Sequence, residues 1–234
     1  MPHHYPAAAR LLADLGGLRV HSLFSFAHHH HPDNLTLGPL RVFNDYTLAG
    51  RTALPLHPHS EVEIVTIVLD GILTYADAQD NLRDLRAGQV LRLTAGTGTQ
   101  HAEANRGAAP AHALELWFQP AQPNLQPSQE QKMLDFQAYA NEWIPLVSGR
   151  GDGGEAAVFL NCDATVWWAN LRPGAALTYA AADERQLLLY AVEGALTLNG
   201  QPLQAGDHAQ LNGETHLALS SPAGAAVLLV DVPA

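Results

Sequence analysis

The segment EIVTIVLDGILTYADAQDNLRDLRAGQVLRL, residues 63–93, reads as short strands and tight turns. An Ile/Val-rich run ends at Asp70 and Gly71, an acid–glycine turn. A second strand follows, then a polar turn, then Ala87, Gly88 and Gln89 leading into another strand. About 120 residues later the chain repeats the pattern as QLLLYAVEGALTLNGQPLQAGDHAQL, residues 186–211. Here the acid–glycine turn is Glu193 and Gly194, and Ala205, Gly206 and Asp207 take the place of Ala87, Gly88 and Gln89. Asn199 and Gly200 between alternating apolar residues are a strong hairpin signal. Two copies of one all-β unit are an internal duplication. The spacing suits two domains of similar size, each a sandwich or jelly-roll barrel of antiparallel strands.

The rest of the composition agrees with this plan. Of 234 residues, 47% are hydrophobic, ample for two cores, and 15% are charged, against roughly 25% in ordinary globular chains. With 12 basic and 23 acidic residues the formal net charge is -11. No cluster of Lys and Arg is available to neutralise phosphates, so neither nucleic acid nor an anionic membrane surface is an expected partner. The single cysteine, Cys162, cannot form an intrachain disulfide, which suits a reducing compartment. The N-terminus has no signal-peptide pattern and no apolar run approaches a membrane span. The expectation is a soluble cytoplasmic protein.

Two stretches carry helical signals. PAAARLLADLGG (6–17) could form a short helix stopped by Gly16 and Gly17. SQEQKMLDFQAYANEW (128–143) places Met133, Phe136, Tyr139 and Ala140 at roughly helical spacing. The Pro- and Gln-rich QPAQPNLQPSQEQ (119–131) reads as a linker.

Chemistry concentrates in HPHSEVE (57–63) and HAE (101–103). Alternate side chains of an extended strand share a face. His57, His59, Glu61 and Glu63 therefore point one way if their strand is regular, and His101 and Glu103 do likewise. Imidazoles and carboxylates brought together from two strands are a mixed N/O ligand set for Fe(II), Mn, Ni, Cu or Zn. These residues alone do not choose between Glu63 and Glu103 as the carboxylate ligand.

HPHSEVEIVTIVLDG followed by TAGTGTQHAEAN resembles the two cupin motifs in the form the pirin family gives them. FSFA (24–27), GPLRVFNDY (38–46), LELWFQP (114–120), EGALTLNGQPLQAGD (193–207) and LLVDVP (228–233) are similar to that family as well, so the resemblance runs from about Gly17 to the end. It is to the bacterial pirin-like quercetin 2,3-dioxygenases in particular. It implies an all-β bicupin: two double-stranded β-helix (jelly-roll) barrels with few short helices. The expected division is an N-terminal, metal-binding cupin domain over 1–128, a linker with a short helix over 129–145, and a C-terminal cupin domain without a metal site over 146–234.

Carried over position by position, the resemblance implies His57, His59, His101 and Glu103 as ligands of one divalent transition metal, Fe(II) first, with Mn, Ni, Cu or Zn as alternatives. It implies Glu103 as the catalytic base and Glu63 as a neighbouring strand residue; Glu61 reads as a solvated charge. It also implies a flavonol-like aromatic substrate. A different reading of the same family is a non-enzymatic, metal- and redox-dependent regulator that binds a protein partner, and a third is a cupin with another small-molecule substrate. The chain departs from the family at TALPL (52–56), at Tyr75, where histidine is common, at DAQDN (77–81) and at SLFSF (22–26). These positions lie near the implied ligands and bear on the substrate.

Of the other candidates, the run His28, His29, His30, His31 reads as native loop, since consecutive residues of an extended chain cannot all face one ion. His208 and His216 read as surface or turn residues, Cys162 as a buried apolar residue, and GDGG (151–154) as a turn.

Overall fold

The computed structural model describes residues 2–24, 36–78, 81–136, 139–150 and 158–234. The histidine run 28–31 and the 151–154 turn lie outside the described residues. The architecture is all-β, two barrels packed side by side.

In the first barrel a seven-stranded sheet has the order Ser128–Met133, Gln89–Thr94, Glu63–Asp70, Ala111–Phe118, Leu40–Leu48, Leu18–Ser22, Leu11–Asp14. Facing it is a four-stranded sheet ordered Thr52–His59, Thr99–Asn105, Ile72–Asp77, Leu82–Arg86. The acid–glycine turn explains how one continuous run feeds both layers. Gly71 (φ 77°) lets the chain leave Glu63–Asp70 in the large sheet and enter Ile72–Asp77 in the small one. A Cβ on Gly71 would also lie 2.9 Å from Ala111 Cα. In the second copy Arg185–Leu198 makes the same crossing within one 14-residue strand. It pairs with Ala225–Pro233 first and with Gln201–Gln204 and His216–Ser221 later, its register slipping between Ala191 and Glu193. Gly194 (φ 76°) stands at the bend, where a Cβ would lie 2.3 Å from the Gly224 carbonyl. Asn199 (φ 48°) and Gly200 (φ 83°) form the expected hairpin turn.

The strands that lie between layers are apolar on both faces, which is why they read as unbroken hydrophobic runs rather than alternations. Ile64 and Val68 face the interior of the first barrel, while Val65 and Ile67 face the second. Ala225–Pro233 does the same in reverse: Leu228, Val230 and Val232 meet the first barrel, and Val227 and Leu229 fill the second. The interface between barrels is thus a third core, where Phe43, Leu116 and Phe118 pack with Val166, Trp168 and Leu188.

The helical readings fail for tertiary reasons. Ser128–Met133 is an edge strand paired to Gln89–Thr94. Arg92 Nη1 donates to Ser128 Oγ (2.7 Å), and Glu130 accepts the Phe159 N–H (3.0 Å) from the second barrel. The helical-period residues do not share a buried face: Met133 and Tyr139 are exposed, whereas Phe136 stacks on Trp168. At the N-terminus only Ala7–Ala9 forms a 3₁₀ turn. Leu11–Asp14 then pairs with Leu18–Ser22, so Gly16 and Gly17 make a hairpin turn rather than a helix stop. His3–Tyr5 crosses to the second barrel and pairs with His208–Asn212. His208 is therefore buried, stacked on Tyr5 at 4.6 Å, and not the surface residue expected. No helix among the described residues is long and apolar enough to cross a membrane.

Candidate metal centre and pocket

His57 and His59 sit two apart on Thr52–His59, so their side chains share a face. His101, on the antiparallel neighbour Thr99–Asn105, is directly opposite His57. The three imidazoles converge: ring centroids are 4.4 Å apart for His57 and His101, 4.8 Å for His57 and His59, and 4.9 Å for His59 and His101. One nitrogen from each lies within 4.8 Å of the others, spacing that lets three imidazoles meet one cation.

His57 Nδ1 is 2.8 Å from the Pro55 carbonyl, which can only accept; Nδ1 therefore carries the proton and Nε2 keeps the lone pair that can bind a cation. Pro55 has no N–H to offer the ladder, and here the pairing slips by one residue, from His57 opposite His101 to Leu54 opposite Glu103.

Glu103 lies two residues beyond His101 and is buried. Its Oε2 accepts the Tyr46 hydroxyl (2.9 Å). Its Oε1, His59 Nε2 and both His101 nitrogens are buried with no hydrogen-bond partner among the described residues. Buried polar atoms are nearly always satisfied, so unpartnered nitrogens on His59 and His101 within the converging triad fit a cation held there. Burial pushes the Glu103 carboxyl up, opposed by the Tyr46 hydrogen bond. The Tyr46 phenol is also raised, by burial and then by the Glu103 charge. Burial and then the neighbouring imidazoles depress His59 to about 4 and His101 to about 3, so both are neutral, ligand-competent bases at pH 7.

The strand carrying HPH does not continue to Glu63. It ends at His59, Glu61 takes a left-handed conformation (φ 54°), and Glu63 opens a strand in the other sheet. The regular-strand reading of His57, His59, Glu61 and Glu63 on one face is therefore corrected. The fully buried Glu63 accepts Thr94 Oγ1, Asn161 N and Asn161 Nδ2, each at 2.7 Å, and pins the two barrels together. Glu61 is not simply solvated: its carboxylate accepts the Asn124 N–H at 3.1 Å.

A cavity of about 390 Å³ opens over His57, His59 and Glu103. Its walls are mostly apolar, formed by Leu11, Ala13, Leu18, Val20, Leu54 and Trp117, with Ser22, Asn44, Tyr46 and Glu115 as polar members. Trp117 stands edge-on to His59 at 5.0 Å. Tyr46, Asn44, Glu115 and Trp117 were not singled out from the sequence, although they alternate on GPLRVFNDY and LELWFQP, the pattern of a strand with one functional face. Tyr75 places its ring 4.9 Å from His101. Cys162 is buried and burial raises its thiol, so it is not a poised nucleophile.

The depressed histidines set a pH dependence. His208, like His59 and His101, is held by burial at about 3. In the unfolded chain all three titrate near 6.5. Their contribution is complete above that value and is lost as pH falls towards the folded values, because only the unfolded chain takes up protons. The raised Glu103 and Glu115 carboxyls act in the opposite sense, so the rings are read directly: in chelator-treated protein the ring-nitrogen NMR shifts of His101 and His208 are expected to stay at neutral-imidazole values from about pH 7 to about pH 5. Rings that titrate near 6.5 contradict the assignment of neutral buried histidines.

Two antiparallel barrels, one bearing a histidine triad at the mouth of a pocket, define a bicupin. The chain belongs to the pirin family: the pirin model matches residues 7–118, and the model described as the quercetinase C-terminal cupin domain matches 146–232. It is 34% identical over 219 residues to a pirin-like protein of Caulobacter vibrioides, covering 94% of each chain. It is 29% identical over 223 residues to the quercetin 2,3-dioxygenase of Escherichia coli K12, again covering 94% of each. Among solved structures it is similar to the bacterial pirin YhhW of Escherichia coli in complex with nickel(II), with TM-score 0.92 and 26% identity over 100% of this chain and 99% of that one.

Proposed function

We propose that this protein is a metal-dependent dioxygenase that opens the heterocyclic ring of quercetin or a related flavonol, with His57, His59, His101 and Glu103 as the metal ligands. The observation that carries this reading is the convergence of three imidazoles beside a mostly apolar cavity that Glu103 also lines, large enough for a small aromatic molecule. Relatives named quercetin 2,3-dioxygenase supply the substrate class.

Bound there, a divalent transition metal, Fe(II) in first place and Mn, Ni, Cu or Zn as alternatives, supplies an electrophilic centre that acidifies a hydroxyl and brings dioxygen and substrate together. The protein's own share is positioning and proton transfer. Trp117, Leu54 and the N-terminal hairpin sandwich the aromatic rings and exclude water. Glu103 would accept the proton of the flavonol 3-hydroxyl on the oxygen that Tyr46 does not bond, loosening its metal contact to do so. Tyr46 holds the other oxygen of that carboxylate and keeps it aimed. The His57 contact with Pro55 fixes which ring nitrogen faces the metal. One cysteine and a net charge of -11 agree with a cytoplasmic enzyme that binds neither nucleic acid nor membrane.

The test is anaerobic reconstitution with Fe(II), Mn(II), Ni(II) or Cu(II), then quercetin and oxygen. The reading requires quercetin loss with carbon monoxide released in equal amount. No turnover with any of the four metals overturns it.

A further inference from the structure

The interior face of the large sheet carries one polar row across an apolar wall. Pairing sets Ser22 opposite Asn44, Asn44 opposite Glu115 and Glu115 opposite Thr66, so four polar residues line up across four strands. The next row along is Val20, Tyr46, Ala113 and Val68. Ser22 Oγ donates to Asn44 Oδ1 (2.7 Å), and Asn44 Nδ2 reaches Glu115 Oε1 at 3.5 Å. The first bond is short and orients the amide. The second is long for N–H···O, which leaves hydrogen-bonding capacity on both groups.

Ser22, Asn44 and Glu115 line the same cavity as His57, His59 and Glu103, and among the described residues no lysine or arginine does. A purely structural row would be sealed from that space. Burial pushes the Glu115 carboxyl up, which favours a group that bonds a neutral partner over a charged one.

We infer that Ser22, Asn44 and Glu115 form the specificity element of the pocket, bonding an uncharged hydroxyl on the far part of an aromatic substrate whose acidic hydroxyl sits at the triad. A substrate bearing a carboxylate there finds Glu115 and no lining lysine or arginine among the described residues, and is disfavoured. This deepens the flavonol reading and rests on it.

The test compares quercetin with 3-hydroxyflavone, which keeps the 3-hydroxyl and lacks the others. Binding to metal-reconstituted protein is measured under argon by titration calorimetry, so no turnover is needed. The wild type is expected to bind quercetin about 10- to 100-fold more tightly, the range for a buried hydrogen-bonding site facing a ligand with or without its hydroxyl. In Glu115→Leu that preference disappears through weaker quercetin binding alone, while Glu115→Gln, which still donates and accepts, keeps most of it. Asn44→Leu serves as a second variant and is expected to shrink the preference likewise. Equal binding of the two ligands by wild type, or equal loss of both in Glu115→Leu, overturns the specificity element while leaving the flavonol reading standing. Binding of neither ligand by wild type instead overturns the flavonol reading, and this inference with it.

Discussion

Asp231→Ala is expected to lower the unfolding free energy by about 3–5 kcal/mol, the usual cost of stranding one partner of a buried ion pair. Asp231 is 1% exposed inside the second barrel. Its carboxylate accepts Arg185 Nε and the Tyr179 hydroxyl, each at 2.6 Å, and Arg150 Nη1 at 3.3 Å. Arg185 is itself buried and also donates to the Asp231 carbonyl at 3.0 Å and to Asp163 at 2.8 Å. These contacts raise the Arg185 pKa despite its burial. Without Asp231 the guanidinium stays charged among apolar side chains, with the more exposed Asp163 as its remaining carboxylate. Set against a total stability of about 5–15 kcal/mol, that loss brings the domain near its unfolding threshold. Removing both charges in Asp231→Leu/Arg185→Leu is expected to cost less than the single change, since no buried charge is then uncompensated. Urea unfolding followed by fluorescence measures both. A single-mutant loss below about 1 kcal/mol, the ordinary surface-pair value, contradicts this account of the network.

The second large effect is on metal content. His57→Ala/His101→Ala removes the two imidazoles that face each other across the strand pair. What remains, His59 and Glu103, is too few donors for a tetrahedral or octahedral centre. Metal after gel filtration is expected to fall from about one ion per chain to none. Glu63→Gln is the informative control. Glu63 is engaged by Thr94 and Asn161 at the barrel interface, so this variant is expected to keep its metal while losing stability. Metal retained by the double variant contradicts the site, and metal lost from a folded Glu63→Gln contradicts the separation of Glu63 from it. Elemental analysis of the purified proteins reads both outcomes.

How far these features could be read in advance depended on how local they are. The triad was legible because His57 and His59 obey the two-residue period of a strand and His101 needs only an antiparallel partner. The acid–glycine turns were legible because Gly71 and Gly194 do the same backbone work in both copies. Glu63 was not separable from Glu103, because that turns on one left-handed residue, Glu61, which moves the chain from one sheet to the other. The helical period of 128–143 misled because an open sheet edge at Gln89–Thr94 recruited the segment as a strand. The pocket row of Ser22, Asn44 and Glu115 lay beyond reading, since it exists only through the register of three strands far apart in sequence. The loudest motif, the run His28, His29, His30, His31, falls outside the described residues.

Anomalous diffraction from crystals of the metal-loaded protein tests the central claim most directly. The account predicts one strong peak within coordination distance of His57 Nε2, His59 Nε2, a His101 ring nitrogen and a Glu103 oxygen. A peak elsewhere, such as beside His4 and Asp207, with none among the triad, would contradict it.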